Sequence, residues 1–355
     1  MKQPERATTS LQIAGMGVQA PLGLEPRALA AAVRAGLCRF QARGWLPRKS
    51  DGSPIVTSFL PQFDASAPAR ERMFRMGVAA ATQALSPLLG AGASPSGGPI
   101  PMLLSVPPYR PGMEQGEGAQ LARRIMTALP VPPDQKQSGI FDTGQEGGLA
   151  ALACAAGLIA QGRAEVCLVG GVESIREIEL LHWLEEQGRL KGETCPSGFV
   201  PGESAAFLLV CDRAWLLRAG VPSLGVVSQP TRAMEPNPWY TGRPCLGEGL
   251  TQAIREAFAS ESLRAGVTWC DLNGEHWRAD EWSFAYLRTV ERHGEPLRIR
   301  HPADALGELG AAAGPMLVLL AALDLTHPRS ALESALVFAA SDTRPHRAAC
   351  LVHRP

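Results

Sequence analysis

Two stretches of this chain are helix-length, dense in glycine and alanine, and nearly free of charge: "GGLAALACAAGLIAQG" at 147–162 and "GAAAGPMLVLLAAL" at 310–323. Helices with so little side chain belong between other layers, where small residues let backbones approach closely. Each follows a polar turn, "DTGQE" at 142–146 and "DALGE" at 304–308, and each leads into apolar sequence. The pattern reads as one α/β unit used twice. It divides the chain into a polar N-terminal tail (1–10), a first half (11–220) and a second half (221–355).

Short apolar runs alternate with Ala/Leu-rich helical segments along both halves. Strands are expected at "LQIAGMGV", "PMLLSVPP", "AEVCLVGGVES", "ESAAFLLVC", "VPSLGVVSQ" and "VTWCDLNGE". Helices are expected at "PRALAAAVRAGL", "RMFRMGVAAATQALSPLL", "LTQAIREAFA" and "RADEWSFAYLRTVERHG". Continuous rather than alternating apolar strands point to an α/β fold with its sheets buried on both faces. "GAGASPSGGP", at 90–99, is expected to be a surface connector, since no strand-turn-helix glycine spacing surrounds it.

At 355 residues and 45% hydrophobic, the chain can bury one large core or two fused ones. Thirty-four Lys+Arg balance 34 Asp+Glu, which speaks against nucleic acid or an anionic membrane as partner. Eight cysteines without a C-x-x-C suggest reduced thiols and a cytoplasmic protein. Cys154, nine residues into the first small-residue helix, is expected to be buried core. No apolar run reaches the length of a membrane span or a signal peptide.

The turn at 142–146 is shaped to present a nucleophile at a helix N-terminus, where unpaired N–H groups and the helix dipole favour an anion. It carries Gln145 instead, and an amide does not attack a thioester. Other residues with chemical potential are spread along the chain. Glu146, Glu203, Glu275 and Glu308 could converge as an acidic group suited to proton transfer or a metal, with Glu203 also readable as structural. His276 could serve a pocket or lie in a solvated loop. Trp239, Tyr240, Trp277 and Trp282 are either packing residues or anchors of a partner-binding face.

Four blocks together resemble the β-ketoacyl synthases of the thiolase superfamily: "IAGMGVQAPLG", "LIAQGRAEVCLVGGVES" (158–174), "GFVPGESAAFLLV" (198–210) and "GELGAAAG" (307–314), in order from residue 11 to about 325. The resemblance implies two fused α/β halves in an α-β-α-β-α five-layer arrangement, a dimer, and acyl carrier protein as partner. It also implies a cysteine nucleophile and two histidines that hold the thioester and stabilise its enolate. Gln145, 28 residues before Glu173, stands at the cysteine position; Asn273, in "LNGEHW", and Glu308, in "GELGAAAG", stand at the histidine positions. Glu146, Phe199, Glu203, Glu275 and His276 are the implied pocket neighbours. The family's pocket-closing loop is unrecognisable in "SDTRPHRAAC".

The implied protein is a homodimer that has kept the fold without its chemistry, with no cofactor and no metal. Its expected role is as a binding or accessory protein, for instance for a type VI secretion effector. The alternative is a chain-length-factor-like subunit, or a malonyl decarboxylase, of fatty acid or polyketide synthesis. The expected dimer edge is the strand before the elbow or "AEVCLVGG" after it.

Overall fold

A computed structural model describes residues 10–90 and 98–355. The expected tail (1–10, but for Ser10) and most of the 90–99 connector lie outside the described residues. The first half comprises β1 (Ser10–Gln19), α1 (Pro26–Arg34), β2 (Gln41–Pro47), β3 (Pro54–Thr57), α2 (Ala69–Ala84), α3 (Ser86–Gly90), β4 (Met102–Ser105), α4 (Glu117–Ala128), β5 (Gly139–Phe141), α5 (Gly147–Ala160), β6 (Val166–Ser174), α6 (Ile178–Glu186), β7 (Glu203–Cys211) and α7 (Arg213–Ala219). The second comprises β8 (Val226–Met234), α8 (Glu248–Ala257), β9 (Val267–Cys270), α9 (His276–Leu287), β10 (Ile299–Arg300), α10 (Ala303–Leu306), α11 (Ala313–Leu325), β11 (Ser334–Ala340) and β12 (His346–His353).

Ten strands run in the order β10-β9-β11-β12-β8-β1-β7-β6-β4-β5, and β2 and β3 form a separate hairpin. Read outward from its centre, the sheet has the same design on both sides. β1 and β8 each pair antiparallel with the last strand of their half, β7 or β12, and then come one more antiparallel and two parallel neighbours. Helices α5 and α11 occupy equivalent places, each crossing from an outermost strand to the interior strand of its half.

The hydrophobic clusters give the layers. One holds α5, α11 and the inner faces of both sheet halves. A second packs α2, α4 and α7 on the outer face of the first half, and a third packs α8 and α9 on that of the second. The arrangement is therefore α-β-α-β-α, a thiolase-like fold. Its middle layer depends on the small residues noted in the sequence: a Cβ on Gly148 would stand 2.1 Å from Pro315 Cδ, and one on Gly314 2.7 Å from Leu149 N.

Local chemistry sets the element ends. Pro26 opens α1 behind Glu25, which accepts from Arg27 N–H. Asp212 caps α7, and Gly220 closes it in the left-handed region (φ 64°). The long helix expected over 72–89 breaks at Leu85, just before Ser86-Pro87. Among the described residues, no helix is long and apolar enough to cross a membrane.

One expectation fails in the central layer. Cys154 is exposed in the single chain, because α5 turns its Ala153–Cys154 side away from α11, next to the outermost strand β5. All eight cysteines are free thiols.

Candidate functional site

Three segments far apart in sequence bring Gln145, Asn273 and Glu308 together. Gln145 sits on a 3-10 turn, Gly144–Glu146, that leads directly into α5. Asn273 follows β9, in a loop whose Gly274 takes φ 107° because the chain passes over Gly198 O. Glu308 follows Gly307 (φ 74°) and is fixed by its N–H to Val200 O, 2.8 Å.

The side chains join in an open ring of hydrogen bonds that runs from Gln145 to Asp342. Gln145 Nε2 donates to Glu308 Oε1 at 3.2 Å, and Asn273 Nδ2 donates to Glu308 Oε2 and, at 3.0 Å, to Glu275 Oε2. Glu275 accepts from Arg189 Nε and Nη2 at 2.6 and 3.1 Å; Arg189 Nη2 also reaches Asp342 Oδ2 at 2.9 Å. Gln145 and Asp342 end the network on the same cavity wall. Arg278 supports the ring from below, 3.6 Å from Glu275 and 2.6 Å from Asp271.

The carboxyls divide by partner. Burial opposes ionisation of Asp342 most strongly, yet Arg189 and Arg278 outweigh it and hold the group below the ordinary carboxylate range. Burial pushes Glu308 above that range, with Arg278, Asn273 and the Gly310 N–H only partly opposing it. Among the described residues Glu308 has no ion pair within 4 Å; its contacts are amides.

Gln145, Glu308 and Asp342 border a cavity of about 240 Å3. Arg110, Glu173, Arg189, Phe199, Trp183 and Tyr109 help to line it, and Tyr109 (71% exposed) stands at its mouth. Arg110 is held by Glu173 at 2.7 Å. The unfamiliar loop after β11 thus supplies a cavity wall through Asp342 and Thr343. Asn273 lies behind the cavity and contributes through Glu308.

The four glutamates do not converge. Glu146, adjacent to Gln145, points to the second half of the sheet, where Arg232 on β8 donates to it at 2.9 Å and His346 on β12 lies 3.6 Å away. Glu203 is bound by Arg72, Ser174 and Leu60 N–H, and is structural. Only Glu275 and Glu308 share a network. His276 begins α9 as an exposed residue and takes no part in it.

The aromatic candidates also separate. Trp282 is core, 6% exposed and stacked on Phe338, because it falls on the face of α9 that meets the sheet. Trp239 and Trp277 are half-buried and stacked on each other, and Tyr240 is exposed beside Trp239. The sequence reading missed Arg189, Arg278 and Asp342, which tie the ring together. Their only sequence signal is position: charged residues beside the altered loops.

A group elsewhere, Glu235, Cys245 and Glu281, places its ligand atoms within 4.8 Å of one another. Its carboxylates are already engaged, Glu281 by Arg347 and Glu235 by Gly249 N–H.

No family model and no curated relative matches the sequence. The fold does match solved structures. The ketosynthase from module 6 of the bacillaene synthase of Bacillus subtilis 168 superimposes with a TM-score of 0.79 at 15% identity, covering 98% of this chain and 72% of that one. An ishigamide ketosynthase/chain length factor gives 0.76 at 16%, covering 98% and 100%. A structure of a type II PKS acyl-carrier protein in complex with its ketosynthase bound to the hexaketide gives 0.76 at 14%, covering 98% and 100%. Layer order, strand order and these likenesses agree that the chain has the thiolase-like fold of the ketosynthases.

Proposed function

We propose that this chain is a ketosynthase-fold protein that acts by binding and has given up condensation. The observation that carries the reading is the content of the ring: an amide at 145 and an amide at 273, both donating to a carboxyl at 308. An amide supplies no nucleophile for a thioester, and neither Asn273 nor Glu308 supplies an imidazole. Losing one donor to a developing oxyanion typically costs about 10²–10³ in rate, so losing both implied histidines leaves decarboxylation without its stabilisation as well.

The face offered to a partner is the cavity mouth and its neighbours, with Tyr240 and the half-buried Trp239 as anchors. A secretion effector is the partner favoured by the "DLNGEHWRADEW" block that replaces the histidine loop. A second reading, a chain-length-factor-like partner of an active ketosynthase with acyl carrier protein, is favoured by the likeness to a ketosynthase/chain length factor over 98% of the chain. Self-association belongs to both. The outer side of β5 pairs with nothing among the described residues, whereas β6, the other candidate edge, is covered on both sides by β4 and β7.

Affinity capture from the native host tests the binding face. Tyr240→Ala and Trp239→Ala/Tyr240→Ala, folded and with unchanged oligomeric state, lose a partner that the wild type retains. Capture of the same partners in the same yield would place the face elsewhere. Recovery of a secretion effector or of a ketosynthase decides between the two roles.

A further inference from the structure

The cavity beside the ring has unspent acceptor capacity. Gln145 is 3% exposed, and among the described residues its Oε1 has no hydrogen-bond partner. Glu308, 4% exposed, lines the same space. The other carboxylates nearby have guanidinium partners: Glu173 has Arg110, Glu275 and Asp342 share Arg189, and Asp271 has Arg278. Among the described residues Glu308 has only the Gln145 and Asn273 amides and the Gly310 N–H, with Arg278 acting from farther away. A buried polar atom without a partner is costly, and one unneutralised carboxyl beside an orphan amide oxygen is the arrangement a cation relieves.

The walls suit the same occupant. Trp183, Tyr109 and Phe199 offer aromatic surface, whose ring faces attract a cation. Arg189 already covers Phe199, 5.4 Å from its centroid, which leaves Trp183 and Tyr109 toward the mouth. At about 240 Å3 the cavity falls below the ~300–1,000 Å3 of sites for drug-sized ligands, so it takes a head group on a short chain.

We propose that the cavity binds a primary alkylammonium group, with Gln145 Oε1 and the Glu308 carboxylate as its acceptors and Trp183 and Tyr109 around its stem. The group comes either as the side chain of a lysine on a partner protein or as a free small amine. The inference builds on the binding reading above, because it gives the non-catalytic site an occupant.

Calorimetry on the full chain with n-butylamine hydrochloride near pH 7 tests this. Saturable binding is expected. Sodium butyrate and butyramide are expected not to bind. Glu308→Gln weakens butylammonium at least about tenfold. Trp183→Ala also weakens it, a second variant whose outcome does not depend on the ring variant folding. Nα-acetyl-lysine N-methylamide distinguishes the sources: tighter binding than butylammonium assigns a protein lysine, and weaker binding assigns a free amine. Equal binding of butyrate, no saturable butylammonium binding, or affinity unchanged in a folded Glu308→Gln overturns the proposal. Such a failure, with acyl thioesters still inert, would remove the ligand and leave the non-catalytic reading in place.

Discussion

Trp239 lies flat on Trp277, their ring centroids 5.6 Å apart and their planes 18° from parallel. Arg189 covers the Trp239 ring at 5.2 Å and the Phe199 ring at 5.4 Å, while Arg278 lies 4.3 Å over Trp277. Aromatic rings and guanidinium groups thus form a column from the cavity wall to a surface loop, and both arginines are anchors of the carboxyl ring. Trp239 Nε1 adds a bond to Asp342 O, 3.1 Å.

Trp239→Ala removes the centre of that column, and urea denaturation is expected to show a loss of about 2–4 kcal/mol. Trp239→Phe keeps the stacking and gives up the N–H bond, for about 1 kcal/mol. An alanine variant within about 0.5 kcal/mol of wild type would mean that the column carries no stability.

The crossing of α5 and α11 makes a sharper prediction. Gly148→Ala drives a methyl into the Pro315 ring and is expected to cost at least about 2 kcal/mol. Gly157→Ala, on the same helix, meets nothing within 4 Å and is expected to be neutral or to stabilise by up to about 1 kcal/mol. Equal effects at the two positions would contradict the packing described.

Much of this middle layer was legible in the sequence, because glycine and alanine content reports helix approach directly. The juxtaposition of Gln145, Asn273 and Glu308 followed from three motif positions. What escaped was set by contacts distant in sequence. Arg189 meets Glu275 and Asp342 across 86 and 153 positions, which no local pattern encodes. Cys154 looked buried because its neighbours are apolar, but α5 is apolar all round and its period does not say which side meets α11. The β2–β3 hairpin, α4 and α6 also went unanticipated; in α6, glutamates interrupt the apolar spacing.

Self-association gives Cys154 a use as a reporter. Pairing of β5 with its two-fold mate would bring the outer side of α5 against a second copy. Light scattering is expected to give twice the chain mass, with Cys154 slow to alkylate while the exposed Cys38 reacts quickly. Cys154→Arg is expected to give monomers. A wild-type monomer at micromolar concentration, or equal alkylation of the two thiols in a dimer, would contradict an interface at β5 and α5.

His293 predicts a pH dependence. It is buried among Trp282, Tyr286 and two threonine hydroxyls, and burial pushes its imidazole down to about 4 despite Glu291. Between that value and its ordinary 6.5 the unfolded chain binds the proton and the folded chain does not, so stability rises with pH across this window and is lost toward pH 4. The loss reaches at most about 3 kcal/mol. His293→Gln is expected to flatten this part of the profile; an unchanged slope would assign it to other groups.

The proposed loss of ketosynthase chemistry is tested most directly by incubating the protein with acyl and malonyl thioesters of acyl carrier protein, following intact mass and released CO2 together. The account predicts an unmodified mass and no CO2 above a protein-free control, and no more than slow self-acylation for Gln145→Cys, since position 145 alone restores neither imidazole. A stoichiometric acyl adduct on the wild-type chain, or its catalytic release of CO2, would contradict it.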